Sequence, residues 1–398
     1  MTTATDNGEK QWRPVDPMRH HRERKWDYRG RAIYHFTLPV EGRYPLFGVL
    51  EGDSAETATV RLNAFGRRVC RMLGGLAQFY KEKGYALKVL AQIVMPDHVH
   101  LVIQVLEPLP QSIGAVVRGF KSGCTKVYKE EYYSGENAAE VYGEHGEPGE
   151  HERAMTTTAE VQGGVPVHFA RIFAGRGSIW QQDSAYYHER ILHAPGQLRR
   201  MIDYVKDNPR RLWLKSHHPD LFRLHRRTEA AGLSFTSMGN HFLLNWPDGQ
   251  TVEMSRSATS DQIQERLRSV LTAAHDGTVT YTAAISDGEK FIARSLREQG
   301  YPLVVLLNDG FPQEGSPHER YYKPGGVYFE ACSKGLLLLL EPTEESFLDA
   351  DIQKAVEETL RCKAEKRHYS YTPIPVSSQR YRFVALNEMA KRLSMQSK

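Results

Sequence analysis

Residues 85–106, YALKVLAQIVMPDHVHLVIQVL, hold two apolar runs that meet at Pro96-Asp97. Both are rich in Val, Ile and Leu, and together they read as a β-hairpin. A hairpin this apolar has to be covered, so it belongs in an antiparallel sheet with helices packed on it. The flanking sequence supplies those partners. RAIYHFTLPV (31–40) alternates in the manner of a strand. Residues 60–83 place Leu62, Phe65, Val69, Leu73, Leu76 and Phe79 on one helical stripe. Residues 110–132 do the same with Ile113, Val116, Val117, Phe120, Cys124 and Val127. YYHERILH (186–193) reads as a last strand. PGQLRRMIDYVKD (195–207) reads as a short helix with Leu198, Ile202 and Val205 inward, stopped at Asn208-Pro209. This order predicts an α+β fold of the ferredoxin-like kind, an antiparallel sheet with helices on one face.

The rest of the chain reads differently. Residues 1–25 read as a flexible basic arm. Residues 134–166 are rich in Gly, Glu and Thr without periodicity, which predicts an insertion or disordered loop. Past residue 225 the apolar runs HFLLNW, VTYTAAI, PLVVLLN and LLLLLEP alternate with helical patterns. That alternation predicts a parallel, Rossmann-like sheet. RYRFVALNEMAKRL (380–393) reads as a closing helix with Phe383, Leu386 and Met389 or Ala390 inward. The expected organisation is a domain over 26–224 and a smaller α/β domain over 225–398.

Composition narrows the function classes. The net charge of the 398 residues is only +4, yet residues 18–31 and 210–227 are densely basic. Clustered Lys and Arg is the footprint of a phosphate-backbone partner, or simply solvated surface. The longest leucine run, at 336–340, is far too short to span a bilayer. The N-terminal residues are polar without a signal-peptide core, so a cytoplasmic protein is expected. The 4 cysteines form no CxxC pair, which argues against a zinc ribbon or disulfide framework and for reduced thiols in or near cores.

Two stretches carry candidate chemistry. On a strand, residues two apart share a face, so His98 and His100 can offer two imidazoles to one metal ion with Val99 packed behind. A histidine pair without a metal has the same appearance. In MIDYVKDNP, Tyr204 and Asn208 are four apart and share a helix face. A tyrosine there can serve as a nucleophile, and an asparagine carbonyl can bind a hard cation. From the helix alone, Tyr204 reads first as an amphipathic residue at the core's edge.

MPDHVHLVI, followed by WQQDSAYYHERILHAPGQLRRMIDYVKDNP, resembles the single-tyrosine HUH transposases, specifically the REP-associated tyrosine transposase group. HVH fits the His-hydrophobic-His element. Trp180-Gln181 and the Tyr204-to-Pro209 helix end fit the segment around that group's nucleophile. The resemblance covers residues 25–220. It implies a Mg²⁺ or Mn²⁺ ion held by His98 and His100, with Asn208 as third ligand, and a Tyr204 hydroxyl that attacks a scissile phosphate of single-stranded DNA. The products would be a 5′-phosphotyrosine link and a free 3′-OH, which allows strand transfer. It also implies hairpin DNA as a partner. Arg118, Lys121 and Lys126 on the second helix, with Arg199, Arg200, Lys206, Arg210 and Arg211 beside the tyrosine, would hold the backbone. Trp180 would stack on a base or sit in the core.

Tyr186, Tyr187, Tyr128, Tyr132 and Tyr133 are rival nucleophiles. His188 reads as structural or DNA-facing. The long insertion leaves assembly of the site within one chain, or across a homodimer, open. Two alternatives stand beside strand transfer: a nickase of the replication-initiator kind, and a sequence-specific DNA-binding protein with a vestigial site. The stretches 282–311 and 323–342 resemble C-terminal extensions of that group, of the DprA-like Rossmann type. They contain no GxGxxG, and no cofactor beyond the metal ion is expected.

Overall fold

The computed structural model describes residues 25–133, 161–162, 165–166, 178–181, 188–311, 326–366, 368 and 370–396. The expected arm, most of the insertion, and Tyr186 and Tyr187 lie outside the described residues. The chain divides into two compact units, within Pro17–Leu214 and within Lys215–Lys398. No described helix is long and apolar enough to cross a membrane.

The first unit runs β1 (Ile33–Pro39), β2 (Gly48–Glu51), β3 (Thr59–Leu62), α1 (Ala64–Gly74), α2 (Leu76–Lys81), β4 (Leu87–Val94), β5 (His98–Val105), α3 (Ile113–Tyr133), β6 (Val161–Gln162), β7 (Val165–Pro166), β8 (His188–Ile191), α4 (Gln197–Lys206) and α5 (Asn208–His217). The main sheet has order β4-β5-β1-β8 and is antiparallel throughout. Two-residue alternation gives it two unlike faces. Tyr34, Phe36 and Leu38 of β1 and Val99, Leu101 and Ile103 of β5 are fully buried against α1, α2 and α3. His35, Thr37, His98, His100 and Val102 occupy the intervening positions.

That second face is covered as well, which corrects the expectation of helices on one face only. Leu198, Met201, Tyr204 and Val205 of α4 pack with Val102, Leu192, Ile33 and Ile93. Met201 takes the place expected for Ile202. The expected 60–83 helix is broken at Gly74-Gly75: Leu62 ends β3, and α2 starts in a new phase. Tyr80 is therefore buried and Phe79 is 52% exposed. The insertion includes the short β6–β7 hairpin.

The second unit contains α6 (Pro219–Phe222), β9 (His225–Ala230), β10 (Leu233–Gly239), β11 (Gly249–Thr251), α7 (Ser260–His275), β12 (Val279–Thr282), α8 (Asp287–Glu298), β13 (Leu303–Leu306), α9 (Gly326–Ser333), β14 (Leu337–Pro342), α10 (Glu344–Phe347), α11 (Ala350–Glu365) and α12 (Gln379–Gln396). Its sheet, order β11-β12-β13-β14-β10-β9, is parallel from β11 to β14 and antiparallel at β10 and β9. The sheet is thus mixed rather than purely parallel. HFLLNW is a 3-10 turn capped by Asn240, not a strand. Phe383 is only partly buried, while Tyr381, Ala385, Leu386 and Met389 face the core. The seam lies before residue 225 because Leu221, Phe222 and Leu224 pack on this unit's core, and the Cys332 thiol donates to the Leu221 carbonyl at 2.9 Å. Cys124 and Cys332 are buried, but Cys362 is exposed.

Candidate active site

The site lies on the second face of the first unit's sheet. Register sets His98 opposite Pro39 and His100 opposite Thr37. Both imidazoles are buried, at 5% and 2% exposure. Their Nε2 atoms face each other at 3.1 Å, with the ring planes at 88°.

The other ring nitrogens are engaged. His98 Nδ1 lies 2.5 Å from Asp97 Oδ1, and Arg43 Nη1 donates to Asp97 Oδ2 at 3.3 Å. A carboxylate accepts only, so His98 carries a proton on Nδ1, and in the neutral ring Nε2 is the acceptor. His100 Nδ1 lies 3.1 Å from both Thr37 Oγ1 and His35 Nε2. The His100 tautomer with its proton on Nδ1 leaves a lone pair on Nε2; the other tautomer donates from Nε2 to His98 Nε2. In the first tautomer two lone pairs converge on one point, an arrangement that a cation between them would relieve. Two donors at right angles around an ion, each about 2.1 Å from it, lie about 3 Å apart. The Nε2–Nε2 separation of 3.1 Å matches that distance. Among the described residues, no group of three or more His, Cys, Asp or Glu side chains is placed to hold a metal ion.

Tyr204 meets the histidines within one chain. Its ring stands edge-on to His100, centroids 5.4 Å apart at 73°, and to His35 at 6.3 Å and 87°. Arg211, itself buried, places its guanidinium carbon 5.3 Å from the centre of the phenol ring. Burial pushes the phenol above its ordinary value; Arg211, a hydrogen bond from Asn208, Arg43 and Arg190 pull the other way without prevailing. Asn208 is buried, and its Nδ2 donates to the Tyr204 carbonyl at 2.8 Å. Asp207 caps α4, and the Asn208-Pro209 pair opens α5 instead of merely ending a helix.

The expected DNA contacts divide. Arg199, Arg200 and Lys206 are exposed on α4. Arg210 is half-buried and paired with Asp207 at 2.6 Å. Arg118, Lys121 and Lys126 lie on α3, which packs on the opposite face of the sheet from the histidines. Lys121 is partly buried, with Nζ on the Gln181 carbonyl at 3.3 Å, and burial lowers its pKa. Trp180 is fully buried and its Nε1 donates to the Lys121 carbonyl at 2.9 Å, so it is a core residue and not a base-stacking platform. Among rival nucleophiles, Tyr128 is fully buried and Tyr132 packs on Phe65, both on α3 away from the histidines. Tyr133 ends α3.

His35, Thr37, Asp97 and Arg43 escaped the sequence reading. Three had a legible signal: His35 and Thr37 alternate in YHFTL on the strand beside HVH, and Asp97 immediately precedes His98. Arg43 had none, because it reaches Asp97 from a separate turn.

No family model matches the chain, and no curated protein matches it. Among solved structures, the chain is similar to a REP-associated tyrosine transposase bound to a REP hairpin. Identity is 13% and the TM-score 0.25, over 47% of this chain and 72% of that one. The likeness is distant.

Proposed function

We propose that the first unit is a metal-dependent, single-stranded DNA strand transferase of the HUH type, built on a ferredoxin-like sheet, with Tyr204 as nucleophile. One observation carries the proposal: a tyrosine ring set edge-on beside a pair of histidines whose Nε2 atoms converge. The HVH and Tyr-to-Asn-Pro motifs support it from the sequence.

His98 and His100 would hold Mg²⁺ or Mn²⁺. Asn208 would complete the set by turning its carbonyl from the helix. When bound, a divalent ion neutralises charge on a scissile phosphate. The chain's own groups do the rest. The Tyr204 oxygen attacks phosphorus, the Oη–P bond forms, and the P–O3′ bond breaks to leave a free 3′-OH. Arg211 and Asn208 favour the phenolate that must form, against the burial that opposes it. Asp97 would hold the His98 proton on Nδ1, and Thr37 with His35 would orient the His100 ring. Arg199, Arg200 and Lys206 would position the strand through its backbone. The reverse attack by a 3′-OH rejoins DNA without an energy source.

The test uses labelled single-stranded DNA carrying a hairpin, with Mn²⁺, resolved on denaturing gels. A protein-linked band in the wild type, absent from Tyr204→Phe and from His98→Ala/His100→Ala, is expected. DNA binding with no adduct under any metal would instead indicate a DNA-binding protein with a vestigial site.

A further inference from the structure

The second unit carries a cavity of about 560 Å³ at the carboxyl ends of β12 and β13. That volume lies in the range of small-molecule sites, roughly 300–1,000 Å³. In α/β sheets, the crevice beyond the carboxyl ends of parallel strands is where ligands sit. The loop after β12 is built to shape it. Ala284 there adopts a φ of 47°, a strained value for a residue with a side chain. Glu289, buried at 1% exposure, accepts backbone N–H groups from Met254, Ile285 and Ser286. The loop is thus held by a carboxylate whose own charge is already satisfied.

The lining combines three chemistries. Arg256 and Lys290 bring positive charge, with Asp287 set 3.6 Å from Lys290. Tyr328 and Phe383 bring aromatic surface, and the Arg256 guanidinium carbon lies 5.8 Å from the Phe383 ring centre. Asn308 lines the same cavity and brings a side-chain amide, which can both donate and accept hydrogen bonds. A ligand that satisfies all three has an anionic group, a planar ring and hydrogen-bond donors.

We propose that this cavity binds a nucleoside monophosphate, either free or as one nucleotide of a strand. The phosphate faces Arg256 and Lys290, the base packs on Tyr328 and Phe383, and ribose hydroxyls or base amines reach Asn308 and Asp287. The proposal is independent of Tyr204 and its histidines.

Titration calorimetry on the full chain tests it, with adenosine 5′-monophosphate as the probe. Saturable binding is expected, weakened about 10-fold or more by Arg256→Ala and by Tyr328→Ala. Arg256 is exposed, so its variant folds, and thermal melting in the presence of the probe gives a second readout. Adenosine alone and inorganic phosphate alone should each bind about 10-fold more weakly than the monophosphate. Displacement of the probe by oligothymidylate would assign the site to a strand; lack of displacement would assign it to a free nucleotide. Absence of saturable binding, binding unchanged in both variants, or phosphate binding as tightly as the monophosphate would overturn the proposal.

Discussion

The phenol ring of Tyr204 stands edge-on to the imidazole of His100 at 5.4 Å, although the two residues come from distant parts of the chain. The contact exists because two periodicities meet. Strand alternation in β5 turns His100 away from the core, and the apolar stripe of α4 lays that helix on the same face. The predictions below follow from this juxtaposition and from the packing that supports it.

Asp97→Asn should weaken Mn²⁺ binding roughly 10- to 100-fold, because the amide no longer enforces the Nδ1–H tautomer of His98. His98→Ala with His100→Ala should abolish it. Calorimetric titration with Mn²⁺ measures both. Equal affinity in the Asp97 variant and the wild type would remove Asp97 from the site.

Arg211→Gln should raise the Tyr204 phenol further, since it deletes a cation that opposes the effect of burial. Ultraviolet titration of the phenol, compared with Tyr204→Phe, follows the direction. The initial rate of adduct formation at neutral pH should fall roughly 10- to 100-fold. A rate that does not change would mean that Arg211 serves packing alone.

Gly66→Ala should destabilise the first unit by about 3 kcal/mol. A Cβ at this position would lie 1.9 Å from the Phe47 carbonyl oxygen, a backbone atom that cannot swing aside. Urea unfolding measures the loss, and a variant as stable as the wild type would show that the α1 start moves freely.

Glu253 is pushed up by burial, yet hydrogen bonds and charge from Lys391 and Lys363 hold it below the usual carboxylate range overall. A depressed folded-state value means stability that is present above the unfolded-state value and lost as pH falls through the folded one. Glu253→Gln should therefore cost the second unit about 1 kcal/mol at neutral pH. Melting curves of the variant and the wild type should converge only once the pH falls below the depressed folded-state value of Glu253. A constant gap at all pH values would mean that the loss is one of packing.

Much of this was legible in the chain, and the gaps have physical causes. The hairpin of β4 and β5 was plain because both runs are apolar and the turn is short. Phe79 was misread as inward because the Gly74-Gly75 break resets helical phase, which periodicity cannot see across. The β9–β10 hairpin passed unnoticed because its turn is Ala231-Gly232, both with positive φ, where Asn or Asp would have announced it. Arg211 was read as a DNA-backbone contact, yet it is 8% exposed and covers the tyrosine, a matter of tertiary packing alone. The two histidines and Tyr204 were named from motifs; their meeting within one chain required the fold.

The most direct measurement is peptide mapping by mass spectrometry of the protein after reaction with a short hairpin-bearing single strand and Mn²⁺. A nucleotide mass on the peptide containing Tyr204, and on no other tyrosine peptide, is the predicted result. The same mass on a peptide containing Tyr186 and Tyr187, or no modified peptide under conditions where the DNA is bound, would contradict the account.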